Sequence, residues 1–180
     1  FDPSLPHAEF ADLLRFAWTT TMPMIARVNG HCLAGGMGLF AMCDMAVAAE
    51  HASFGLPEVK IGLFPAQVLA VLQHLSAPRH IAEMCITGEP ISAARAAEIG
   101  LVNHVAPAGE LDAKTDWLVQ RVVGKSPTAV RRGKAMMRAA FDMSFEQSIS
   151  YLETKIRTLA LTEDAKEGRA SFVEKRAPSW

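Results

Sequence analysis

The chain has 180 residues, 18 Lys+Arg against 19 Asp+Glu for a formal charge of −1, and is 50% hydrophobic but only 7% aromatic. At roughly 150 residues per domain this predicts one compact domain with a sizeable core. The near-balance of charge excludes the overall basic field of a general nucleic-acid or anionic-membrane binder.

The opening Phe1-Asp2-Pro3-Ser4-Leu5-Pro6 reads as a loop entering a domain already under way. From Ala8 to Ala17, apolar residues recur at helical spacing, and Pro23 ends the threonine run that follows. Met24 to Val28 is a strand candidate with Asn29-Gly30 as its turn, and Ala34-Gly35-Gly36 opens an apolar helix reaching about Met42. A second strand is expected from Met45 to Ala49. After Phe54-Gly55 and Leu56-Pro57-Glu58-Val59, read as loop, an apolar helix runs from about Ala66 to Leu75. The pattern then turns almost wholly helical, over 78–87, 92–98, 110–123, a helix begun by Ser126-Pro127 and one begun by Ser144, with a brief extended piece over 101–105. In the helix after Ser144, Phe145, Ile149, Leu152, Ile156 and Leu159 form a stripe that needs a partner surface, within the domain or between subunits. Arg131, Lys134 and Arg138 read as a solvated cationic face, and Met37, Met42 and Met45 as core filling.

No apolar run approaches the ~18 residues of a membrane span, and no Lys/Arg-led leader opens the chain. The three cysteines, Cys32, Cys43 and Cys85, sit among apolar neighbours in no ligand spacing. A reducing, cytoplasmic setting without disulfides is the expectation. The six histidines show no ligand spacing either, and a phosphate loop, GxSxG, HExxH and CxxC are all missing, so no metal or dedicated cofactor is expected.

The chemistry concentrates between Arg27 and Leu63. Strand, turn and Gly35-Gly36 at a helix start bring bare backbone N–H groups to a point where negative charge is favoured, the chemistry of an oxyanion hole. The same glycines would also serve close helix–strand packing. Glu58, after Pro57, is either a general acid/base or a cap.

The residues resemble a known family. Ile25-Ala26-Arg27-Val28-Asn29-Gly30 leading to Ala34-Gly35-Gly36-Met37-Gly38, then Cys43-Asp44, Phe54-Gly55-Leu56-Pro57-Glu58 and Gly62-Leu63-Phe64-Pro65 are similar to the signature of the crotonase superfamily, the enoyl-CoA hydratases and isomerases. Ile86-Thr87-Gly88, Ile91-Ser92-Ala93, Ala96 to Val102 and Glu167 to Arg176 continue it in order. The resemblance covers nearly the whole chain from about Pro23.

The resemblance implies an α/β fold: a spiral of ββα units over 1–105, whose first strands precede this sequence, and a helical oligomerisation region over 106–180. A homotrimer or a hexamer of two trimers is implied, with an acyl-CoA thioester as substrate and no separate cofactor. Gly35 matches the glycine whose N–H stabilises an enolate oxygen, with Gly36 beside it in the substrate site; the second N–H donor would precede Phe1. Glu58 matches one of two glutamates that hold water in family hydratases. The other falls at Gly38, which has no acid. Lys175 matches a lysine that contacts CoA phosphate, and also reads as a helix-end cation. Three functions follow: hydration of 2-enoyl-CoA as the leading one, Δ3-Δ2-enoyl-CoA isomerisation by the single Glu58, and non-catalytic binding of CoA esters. Nucleic-acid and membrane partners are not expected. The motif order predicts the later part of a longer subunit.

Overall fold

The computed structural model describes residues 9–180, so the opening loop and the helix start expected at Ala8 lie outside the described residues. Among the described residues two compact units are present, residues 9–18 with 24–119 and residues 19–23 with 120–180.

In the first unit, α1 (Phe10–Thr19) is followed by β1 (Ile25–Val28), β2 (His31–Leu33), α2 (Gly35–Ala41), β3 (Met45–Ala49) and β4 (Ser53–Gly55). A 3-10 helix (Pro57–Ile61), α3 (Ala66–Leu72), α4 (Pro78–Thr87), β5 (Ile91–Ser92), α5 (Ala93–Glu98), β6 (His104–Ala106) and α6 (Leu111–Val123) follow. The architecture is mixed α/β, with two three-stranded sheets ordered β1-β3-β6 and β2-β4-β5. β3 runs parallel to both of its neighbours, and β2 parallel to β4, while β5 pairs antiparallel with β4.

Small apolar residues let β3 be buried on both faces. Ala46 and Ala48 face the main core with Met37, Phe54, Leu56, Leu72 and Met84, whereas Val47 and Ala49 face a second cluster with Leu111 and Leu118. This is the two-residue alternation of a strand sandwiched between layers. Polar side chains fix its ends. Asp44 Oδ2 accepts the Met24 N–H at 2.7 Å, and Asn103 Oδ1 accepts the Ala46 N–H at 2.7 Å. Met37 and Met42 fill the core as expected, and Met45 is half-buried. Cys32, Cys43 and Cys85 form no disulfide with one another, and Cys32 and Cys85 are buried. Burial, with Cys43 nearby, pushes the Cys32 thiol up to about 11.

The second unit carries α7 (Pro127–Ala140), α8 (Phe145–Leu159) and α9 (Glu163–Glu174). Their starts follow the sequence signals: Ser126 accepts the Ala129 N–H, Ser144 and Gln147 form a full capping box, and Thr162 accepts the Ala165 N–H. Asp164 holds the start of α7 by accepting from the Ser126 hydroxyl at 2.6 Å and the Thr128 N–H at 3.0 Å, and these bonds lower its pKa. One expectation is corrected here. Lys134 is not part of a solvated stripe: it is 7% exposed, and its Nζ donates to the Met22 carbonyl at 2.7 Å. Its long aliphatic stem allows burial once the ammonium finds an acceptor. The α8 stripe is only partly covered within the described chain, with Leu152 and Leu159 half-buried but Phe145 77% and Ile156 58% exposed. Among the described residues no helix is long and apolar enough to cross a membrane.

Candidate active site

β2 and β4 run in register, His31 opposite Ser53 and Leu33 opposite Gly55, so both strands end at one level. Immediately beyond that level the Ala34 N–H donates to the Gly55 carbonyl at 3.0 Å. One chain then turns into α2 at Gly35, and the other into the 3-10 helix carrying Glu58. Gly35 and Glu58 are thereby placed beyond the carboxyl ends of neighbouring parallel strands, where parallel α/β sheets collect ligands.

Ala34 makes the first turn with φ 51 and ψ −125, a conformation that L residues rarely adopt. It caps α2 without a side-chain bond, so the first N–H groups of the helix have no side-chain acceptor from the cap. Gly35 is half-buried and Gly36 exposed. A Cβ on Gly36 would meet nothing within 4 Å. Its lack of a side chain keeps the approach to this helix start clear.

Glu58 differs from the loop expected for it. Pro57 begins a 3-10 helix over 57–61, and Gly62, at φ 78, ends it in the left-handed region, with the Leu63 N–H donating back to the Glu58 carbonyl at 3.0 Å. The residue is half-buried, and its Oε2 is buried with no hydrogen-bond partner among the described residues. A buried carboxylate oxygen without a donor is costly, because it gives up water and gains nothing in return. Such a group has unused capacity for a ligand proton.

Next to it lies an apolar cleft of about 330 Å³, lined among others by Phe64, Leu69, Gln73, Ile81, Cys85 and Ile86. Burial and then the negative charge of Glu58 raise the pKa of the Cys85 thiol. Cys85 therefore connects the cleft wall to the field of Glu58. α4, which supplies three of these residues together with Ala82 and Pro78, ends at Gly88 against the 3-10 helix: a Cβ there would stand 2.9 Å from Val59 Cγ2.

Gly38 is buried one turn along α2, and the ring of Phe10 lies over it. Sequence reasoning missed Phe10, Cys85 and Gly88 as neighbours of the site. Each is an ordinary apolar or turn residue in its own segment, and only the tertiary fold brings it to Gly38 or Glu58. Lys175 belongs to the second unit, exposed at the C-cap of α9 with φ 54. Among the described residues no group of three or more His, Cys, Asp or Glu is placed to hold a metal ion.

Comparison with known proteins identifies the family. The family model for enoyl-CoA hydratase/isomerase matches residues 3–180. A carnitinyl-CoA dehydratase of Salmonella typhi is 37% identical over 163 residues, covering 88% of this chain and 62% of that protein. A mitochondrial enoyl-CoA hydratase of Dictyostelium discoideum is 32% identical over 182 residues, covering 98% of this chain and 65% of the relative. The crystal structure of an enoyl-CoA hydratase of Mycobacterium smegmatis superposes with a TM-score of 0.92 at 32% identity, covering 99% of this chain and 73% of that one. The chain thus spans somewhat less than two thirds of the length of these curated relatives. With ordered motifs, fold and family model in agreement over nearly its whole length, the chain belongs to the enoyl-CoA hydratase/isomerase family.

Proposed function

We propose that the protein acts on an acyl-CoA thioester, adding water across the double bond of a 2-enoyl-CoA or removing it in reverse. The observation that carries this reading is the buried, unpartnered Oε2 of Glu58, set beyond the same pair of strand ends as the N–H of Gly35. Gly35 donates to the thioester carbonyl oxygen as it gains enolate character, with Gly36 beside it bounding the substrate. Glu58 moves the proton at C2. Stabilising the developing oxyanion is a large contribution, since loss of one such donor costs on the order of 3 kcal/mol in studied enzymes. The relatives named as an enoyl-CoA hydratase and a carnitinyl-CoA dehydratase support water addition and removal as the reaction class.

Isomerisation of 3-enoyl-CoA to 2-enoyl-CoA is the second reading. It is favoured by Gly38, which leaves Glu58 as the one matched carboxylate, able to take a proton from C2 and return it at C4. Incubation with 2-enoyl-CoA and with 3-enoyl-CoA separates the two. A product heavier by one water identifies hydration, and a product of unchanged mass with new chromatographic retention identifies isomerisation. Absence of both products, with CoA-ester binding retained, would make this a non-catalytic binder.

The same reading places Lys175 on a CoA phosphate and the helical region on a neighbouring copy in a homotrimer or hexamer, an assembly supported by the exposed Phe145 and Ile156 of α8. Lys175 offers a clean test. Lys175→Ala and Lys175→Gly both remove the charge, but only glycine adopts φ 54 without steric cost. The Gly variant is expected to be more stable than the Ala variant by about 1 kcal/mol in thermal unfolding. Both are expected to show the same rise in KM for a CoA thioester, and an unchanged KM in both would remove Lys175 from the phosphate site.

A further inference from the structure

Gly35 and Gly38 are three residues apart on α2 and share one face of it. Phe10 of α1 stands over that face. Its Cζ lies 3.8 Å from where a Cβ on Gly35 would be, and 2.8 Å from the corresponding point on Gly38, with Cε1 at 3.2 Å. From α3, Val68 Cγ2 closes the same point to 3.3 Å. Phe10 is half-buried and packs on the main core, so the ring is held rather than adrift in solvent.

We infer that Phe10 is a specificity-determining residue of this site, and that ring and Gly38 form a coupled pair which presents an apolar wall where a second carboxylate would otherwise project. The inference rests on the reading of Gly35 and Glu58 as an acyl-CoA site. An aromatic ring offers water no strong acceptor, so this face of α2 favours acyl carbons over an anchored water molecule. The ring sits at the turn of α2 that follows the oxyanion donor, so it bounds the acyl group close to the thioester. Its effect should therefore be largest for short chains, which have few other contacts.

The test uses the wild-type protein, Phe10→Ala, Phe10→Leu, Gly38→Glu and the double variant Phe10→Ala/Gly38→Glu, each assayed with a short-chain and a long-chain 2-enoyl-CoA and with a 3-enoyl-CoA. Phe10→Ala is expected to raise KM for the short thioester about 10-fold, as loss of an apolar pocket contact does, with a smaller rise for the long one and little change in kcat. It should also raise the share of hydrated product from the 3-enoyl substrate. Phe10→Leu should fall between, and guards against a simple folding failure of the alanine variant. Gly38→Glu alone must displace the ring and is expected to lower Tm by roughly 2–12 °C. Phe10→Ala in the same chain should recover most of that loss, a non-additive cycle. Additive Tm changes, together with Phe10 variants whose KM and products match the wild type, would overturn the inference while the active wild type upholds the site. A wild-type protein that turns over neither thioester overturns the site reading and the inference with it.

Discussion

Glu58→Gln is expected to lower kcat/KM for the enoyl-CoA substrate by about 10²–10⁴-fold, the usual worth of a positioned general acid or base. The amide keeps the shape of the side chain but neither accepts nor delivers the C2 proton at a useful rate. Turnover should not vanish, because the Gly35 N–H is backbone and survives the substitution, leaving enolate stabilisation in place. Stability should move the other way. The buried Oε2 has no donor in the described structure, so replacing a carboxylate by a neutral amide relieves desolvation without breaking a bond, and Tm should hold or rise. Loss of rate with equal or higher Tm is the signature of a residue kept for function. Steady-state kinetics on both thioesters and a thermal scan check it, and full turnover of both by the variant would remove Glu58 from the mechanism.

How far the sequence carries depends on whether a signal is local. β3 is found at 45–49 as the pattern predicts, because Ala-Val-Ala-Ala behind Asp44 has no rival conformation once buried on both faces. α4 at 78–87 is bounded by Pro78 at its first turn and Gly88 at its C-cap, both visible in the chain. β2, β4 and β5 are two or three residues long, too short for a period of two to show, and exist only because they pair with each other. Those are the strands that set the level of Gly35 and Glu58, so the residues of the site were nameable from motif order while its geometry was not. Lys134 shows the same divide from the other side: charge periodicity predicts solvent, and the carbonyl of Met22, far away in sequence, makes burial tolerable. Phe10 carried no signal at all beyond its apolar character, since the glycine it covers lies on another element.

Gly88→Val should show how strongly the seat of Glu58 depends on the end of α4. Gly88 closes that helix at φ 67 and donates its N–H to the Met84 carbonyl at 3.2 Å. A Cβ there would stand 2.9 Å from Val59 Cγ2 and 3.2 Å from Lys60 Cε, the two residues that follow Glu58 on the 3-10 helix. The Lys60–Glu89 ion pair at 2.8 Å joins the same two segments from outside. Left-handed backbone costs an L residue about 1–2 kcal/mol, more for a β-branched one, and crowding adds about 1–3 kcal/mol. A total of about 2–5 kcal/mol corresponds to a Tm lower by roughly 4–20 °C in a chain of this size. The crowding must also push the 3-10 helix, and displacement of a catalytic group by about 1 Å costs on the order of 100-fold in rate. The two effects separate in Gly88→Ala with Val59→Ala. Trimming Val59 makes room for the new Cβ but does nothing for φ, so kcat should return while part of the Tm loss stays. If Gly88→Val loses stability yet keeps wild-type kcat/KM, Gly88 caps α4 only, and the position of Glu58 is fixed by Pro57 and Gly62 within its own turn.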